Sequence, residues 1–119
     1  MAKRSRLPAG MSDPAVARRD VVFALLADPV RRRILELLAD GQPHTASTCA
    51  KAVGKRLDAA LKHLVALRDA AVVASTPDPS DARRQRYTLR PETVVRTSEN
   101  GQREMDFGCA VLRMENRAP

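Results

Sequence analysis

Six basic side chains fall into two clusters of a 119-residue chain: Lys55, Arg56 and Lys62 in one, Arg83, Arg84 and Arg86 in the other. Ammonium and guanidinium groups gathered this way bind phosphates and carboxylates through charge-assisted hydrogen bonds. Residues 51–90 hold nine basic and four acidic side chains, a local charge of +5 within a net charge of +7. Residues 1–19 contribute +4, and residues 20–50 and 91–119 contribute −1 each. Positive charge concentrated in one stripe is the footprint of a polyanion binder. On charge alone, a merely solubilising surface fits as well. Between the first three cations lie Asp58, Ala59 and, directly after them, His63. A carboxylate there can accept from a cytosine amino group, or cap and pair locally, and the local role is favoured.

Other chemistries find little support. A transition-metal site needs three or four converging ligands, and His44, Cys49, His63 and Cys109 show no ligand spacing. No metal or cofactor is expected. Cys49 and Cys109 occupy positions where the apolar pattern calls for a core residue, so both read as small hydrophobes rather than reactive thiols. No glycine-rich phosphate loop, HExxH or G-x-S-x-G sequence is present, so no enzyme is expected. With 44% apolar residues the chain can bury one core. Its three aromatics, Phe23, Tyr87 and Phe107, count against modules that stack bases on aromatic platforms. No apolar run approaches the roughly 20 residues of a membrane span, and the basic start lacks the apolar stretch of a secretory signal. A cytoplasmic protein is the expectation.

The clusters need elements to carry them. Residues 1–12 read as a flexible basic arm. Asp13-Pro14 and Asp28-Pro29 are two helix starts, an acid to cap and a proline where no N–H is needed. The first helix runs to Ala27 with Val22, Leu25 and Leu26 on one side. The second puts Val30, Ile34, Leu37 and Leu38 on one face and ends at Gly41. Thr45 caps a short third helix, Ala46 to Val53, closed by Gly54. A fourth follows from Lys55 to Ala70, with Leu57, Ala60, Leu61, Leu64 and Leu67 on its apolar face and the basic residues on the others. Two short helices joined through a glycine, the second basic outside, form the helix-turn-helix pattern. A strand (Ala71 to Thr76), a polar loop (Pro77 to Ala82) and an alternating basic strand (Arg84 to Arg90) then make a hairpin wing. Beyond Pro91, Thr93 to Thr97, the Asn100-Gly101 turn and Arg103 to Arg113 make a second hairpin.

The segments ALLADPVRRRILELLADG (24–41), LKHLVALRDAAVV (61–73) and RRQRYTLRP (83–91) resemble the ArsR family of winged helix-turn-helix repressors in order and spacing. The resemblance covers residues 20–91. It implies a homodimer that binds double-stranded operator DNA, represses transcription and is displaced by a signal. The metal-sensing members carry a Cys-x-Cys motif at the start of the third helix, where this chain reads HTASTCAKAV (44–53). The family's polar reading positions are here Asp58, Ala59 and Lys62, so no operator follows by analogy. Its His-Leu pair matches His63-Leu64, which gives His63 a phosphate or structural hydrogen bond. Its glycine after the reading helix is replaced by Ala71.

The expectation is therefore an α+β, mainly α, winged helix-turn-helix domain over residues 13–91. Residues 92–119 form a C-terminal β-hairpin that supplies a dimer contact together with the first helix. DNA contacts fall to Lys55, Arg56, Asp58, Ala59, Lys62, His63, Arg83, Arg84 and Arg86. The other function left open is a non-enzymatic winged-helix module that docks a protein.

Overall fold

A computed structural model describes residues 13–114. The arm expected at 1–12 and the end of the C-terminal segment, 115–119, lie outside the described residues. Both Asp-Pro starts form as expected. Asp13 Oδ1 accepts from the backbone N–H of Ala15 at 2.8 Å and opens α1 (Pro14–Leu26). Asp28 Oδ1 accepts from Val30 and Arg31 at 2.8 and 3.3 Å and opens α2 (Pro29–Leu38). Helix α2 touches α1, the two helices that follow it and the wing, so Leu35 is buried as fully as Ile34 and Leu38. The sequence reading gave α2 a single apolar face. Being surrounded, it buries more than one.

Helix α3 (Ala46–Val53) is capped by Thr45, whose Oγ1 accepts from Thr48 N–H at 3.2 Å. Gly54 ends it with a φ of 69°, in the left-handed region that glycine enters without a Cβ clash. Helix α4 spans Leu57–Asp69. Lys55 and Arg56, expected inside it, precede it instead; Arg56 has an extended ψ of 156° and occupies the capping position. The left-handed residue at Gly54 redirects the chain, and two residues are needed before helical geometry resumes.

Both helices of the pair end in the same double hydrogen bond. Lys55 N–H reaches Ala50 O at 3.0 Å and Gly54 N–H reaches Lys51 O at 3.3 Å. After α4, Val72 N–H reaches Leu67 O and Ala71 N–H reaches Arg68 O, each at 2.9 Å. This satisfies helix-end carbonyls and buries Val72 beside Leu67. Ala71 makes the turn with a φ of 60°, so the glycine of the family pattern is dispensable for the turn but its left-handed geometry is not.

Arginines pin the helices to one another. Arg18 of α1 donates to Ala70 O at the end of α4, and Arg32 of α2 donates to Leu26 O, the last residue of α1. Arg33 donates to Val53 O, the last residue of α3, at 2.6 Å. Each places a cation on the negative end of a helix and satisfies a carbonyl that has no intrahelical partner.

The first sheet has the order β1-β3-β2. Strand β1 is only His44–Thr45, opposite Tyr87 and Arg86. The wing strands, β2 (Val73–Asp78) and β3 (Asp81–Leu89), run through most of the expected polar loop and leave Pro79-Ser80 as the turn. Pro77, expected in the polar loop, pairs opposite Gln85 instead because β2 is an edge strand, where a missing N–H need not break the ladder.

The second sheet carries the expected Asn-Gly hairpin, β4 (Val94–Thr97) with β5 (Arg103–Asp106), and adds a third strand, β6 (Val111–Met114). The apolar alternation through Met105, Phe107, Cys109 and Val111 concealed the turn between β5 and β6. There Asp106 Oδ1 accepts from Gly108 N–H at 2.8 Å, and Gly108 has a φ of 87°. Met105, Phe107 and Met114 join the main core, whereas Val111 is exposed.

Ala71 yields a stability prediction. An L-residue in the left-handed region carries a steric cost that glycine avoids, partly offset by the greater freedom of glycine in the unfolded chain. Ala71→Gly should stabilise the domain by about 0.5–1 kcal/mol in urea unfolding. A lower midpoint would show that the turn is unstrained.

Candidate nucleic-acid interface

Helices α3 and α4 with the Gly54 turn form the helix-turn-helix, and the β2–β3 wing stands beside it. A groove of about 280 Å³ runs between them, with Leu57 and Leu61 of α4 on one wall and Arg83, Arg84 and Tyr87 of β3 on the other. The wing arginines and the start of α4 therefore share one surface. Lys55, Arg56 and Lys62 are exposed on the α4 side of it. Arg56, at the capping position, offers no side-chain acceptor to the first N–H groups of α4. The residue before the helix thus leaves its positive end uncapped, and the Asp58 carboxylate in the first turn occupies part of it.

The remaining sequence-selected residues divide by what they touch. Asp58 is engaged locally: its Oδ1 accepts from its neighbour Ala59 N–H at 3.0 Å and from Arg56 Nε at 3.4 Å. Ala59 is half-buried. His63 faces α2, where its Nδ1 accepts from Arg31 Nε at 3.1 Å, with Asp28 Oδ2 4.0 Å away. Asp28 thereby serves both α2, as its cap, and the charge balance around His63. Burial pushes the Asp28 carboxyl up, but the N–H groups of Val30 and Arg31 together with the His63 and Arg31 side chains outweigh it and leave the acid below its usual range. His63 is thus placed to orient α4 on α2.

On the wing, Asp81 grips Arg83 with both carboxylate oxygens, at 3.1 Å to Nε and 3.3 Å to Nη2, and lies 3.9 Å from Arg84 Nε. The Arg83 guanidinium, then the Arg83 backbone N–H, holds the Asp81 carboxyl below the usual carboxylate range. Asp78 binds the turn through Ser80 N–H and Oγ and lies in the field of Arg86 and Arg84. The wing cations are thus already attended by carboxylates, which a charge count along the chain does not reveal.

Two residues of this surface escaped the sequence reading. Leu57 and Leu61 were placed on the apolar face that packs inward, yet they are 50% and 37% exposed, while Ala60, Leu64 and Leu67 are buried. Leu61 is offset by about 100° from Ala60 around the helix, and Leu57 sits on the open first turn. Only their apolar excess, five positions where three suffice, hinted at this. Cys49 is wholly buried, and burial pushes its thiol up to about 11. Cys109 is half-buried. Among the described residues no group of three His, Cys, Asp or Glu side chains is arranged to hold a metal ion.

Residues 26–76 match the model of a helix-turn-helix domain. Among solved structures, the chain is similar to the homodimeric winged helix-turn-helix DNA-binding domain of Mb0332 from Mycobacterium bovis, described as a possible ArsR-family transcriptional regulator. Identity is 31%, the TM-score is 0.57, and 71% of this chain and 78% of that one are covered. Rv0081 of M. tuberculosis matches at 29% identity and a TM-score of 0.57, over 68% of this chain and 78% of its own. The adhesin competence repressor AdcR of Streptococcus pyogenes shares the fold, at 23% identity and a TM-score of 0.50, over 67% and 65%. No curated protein sequence matches. The chain belongs to the winged helix-turn-helix transcriptional regulators.

Proposed function

We propose that this DNA-binding regulator is a homodimeric repressor of the ArsR type that acts in the cytoplasm on a two-fold operator. The observation that carries the reading is the shared surface on which the start of α4 meets the arginines of the wing. In this reading α4 enters the major groove, Lys55, Arg56 and Lys62 engage phosphates around it, and Arg83, Arg84 and Arg86 extend the contact along the duplex. Asp58 sets the direction of Arg56, Ala59 leaves room for close approach, and His63 holds the helix in place. The Cys-x-Cys absence and the burial of Cys49 favour release by something other than a thiol-bound metal.

Dimerisation has its own support. Val16, Val21 and Phe23 on α1 are exposed, Phe23 by 53%, and Val94 and Val111 are exposed on the second sheet. Mb0332 is homodimeric. These faces are the proposed contact, with half-sites about one helical turn, ~34 Å, apart or a multiple of it. Sedimentation should give a dimer, and Phe23→Glu a folded monomer that footprints single half-sites. A wild-type monomer at binding concentrations would remove the dimer.

DNA flanking the protein's own gene, tested by fluorescence anisotropy across salt concentrations, tests the reading as a whole. If the dimer neutralises ~6–10 phosphates, affinity should fall roughly 10³–10⁵-fold between about 50 and 200 mM salt. Lys62→Ala should weaken binding and flatten the log–log salt slope by about one unit per subunit, leaving the unfolding midpoint unchanged. A flat response in the wild type would show that phosphate contacts are not the basis of binding. Asp81→Asn should act oppositely. Freeing Arg83 and Arg84 from an exposed carboxylate should tighten low-salt binding by about two- to five-fold. Weaker binding would mean that Asp81 positions Arg83 rather than competing for it.

A further inference from the structure

We infer that Leu57 and Leu61 are reading residues that recognise thymine methyl groups, so that the operator carries thymines at defined positions of each half-site. The inference rests on the major-groove placement of α4 proposed above. Both leucines are exposed and both face the groove between α4 and the wing. They stand on the surface where cations gather, and the described chain leaves half of Leu57 and over a third of Leu61 open. A duplex lying against α4 and the wing covers both.

What such side chains can touch on DNA is narrow. Phosphates are charged, and the base edges of the major groove present mostly hydrogen-bonding groups; the one methyl group among them is the C5-methyl of thymine. Deoxyribose is less polar, but the first residues of a reading helix face base edges rather than the backbone. The rest of the helix start offers no better reader. Between positions 55 and 63 there is no Asn or Gln to form the paired hydrogen bonds that identify adenine. Asp58 accepts from Ala59 N–H and Arg56, and Lys55, Arg56 and Lys62 are given to phosphates in the reading above. Sequence discrimination at this end of α4 therefore falls to its apolar side chains.

The spacing adds a geometric expectation. Residues four apart on a helix rise by about 6 Å along its axis and lie on the same flank. Successive bases on a strand are spaced by about 3.4 Å. The two leucines can thus meet two methyl groups one or two base-pair steps apart.

The test begins with selection of a bound sequence from a random DNA library by the full-length protein. Each thymine in one half-site is then replaced by deoxyuridine, which removes only the methyl group. One or two positions should lose roughly four-fold in affinity each, the loss expected for one buried methyl-sized group. Leu57→Ala and Leu61→Ala should show the same loss on the thymine operator, and each should add little to the uracil position it reads. Leu57 is half exposed, so its variant should keep the wild-type thermal midpoint, whereas Leu61→Ala should lower it slightly and is measured at a temperature where both proteins are folded. Affinity unchanged at every uracil position, or uracil losses that persist in full in the Leu57→Ala/Leu61→Ala double variant, would overturn the inference while leaving the repressor reading intact. Failure to select any sequence over random DNA would instead overturn the repressor reading, and this inference with it.

Discussion

Helix ends meeting arginine side chains hold this domain in shape. The helices are short, and α3 has only eight residues. Each ends with carbonyls that its own turns cannot satisfy, and an isolated helix of such length is marginal in water. Arg18, Arg32 and Arg33 place a guanidinium on the last turns of α4, α1 and α3 respectively. One hydrogen bond thus satisfies a carbonyl, opposes the negative end of a helix and fixes one helix against another. A core without tryptophan and with few aromatics gains most from such ties, because aliphatic side chains alone constrain crossing geometry weakly. The basic charge accordingly serves two purposes. Arg31, Arg32 and Arg33 act inward, between helices, whereas Lys55, Arg56, Lys62 and the wing arginines remain at the surface.

The position of α4 follows from these constraints. Its C-terminal end is set by the Ala71 turn and by Arg18, and its middle by His63 against Arg31 and Asp28. At its start, Leu57 and Leu61 stay partly open to the groove. The end proposed to face DNA thus carries the exposed leucines, while the buried stripe of Ala60, Leu64 and Leu67 anchors the remainder. An element anchored along its length and bare at one end presents side chains without losing its orientation.

Much of this was legible along the chain because the responsible interactions are local. Asp13-Pro14, Asp28-Pro29, Thr45 and Gly54 act within three residues of themselves, and each helix start or stop appears where those residues stand. The interactions that escaped are long-range or ambiguous in type. A backbone carbonyl that accepts from Arg33 carries no sequence mark, and an apolar side chain such as Leu57 does not declare whether anything covers it. Strand β1 is two residues long and has no periodicity to read. The β5–β6 turn lay hidden because Phe107 and Cys109 kept the strand-like alternation through it. The clustering of basic residues on α4 and the wing was legible from charge, but the carboxylates of Asp78 and Asp81 that attend the wing arginines emerge only when the wing is folded.

That two-residue strand has a consequence for the order in which the molecule assembles. Every other strand pair joins neighbours along the chain through a short turn, and such contacts form early at low entropic cost. The pairing of β1 with β3 instead closes a loop of roughly forty residues and must await the helices between them. It is a narrow seam, His44 against Tyr87 and Thr45 against Arg86. Opening it would release the base of the wing from the start of α3 while the hairpin itself stayed paired. The seam is therefore the expected place for the lowest-energy sub-global opening, and amide exchange at β1 should run ahead of exchange at the centre of the wing.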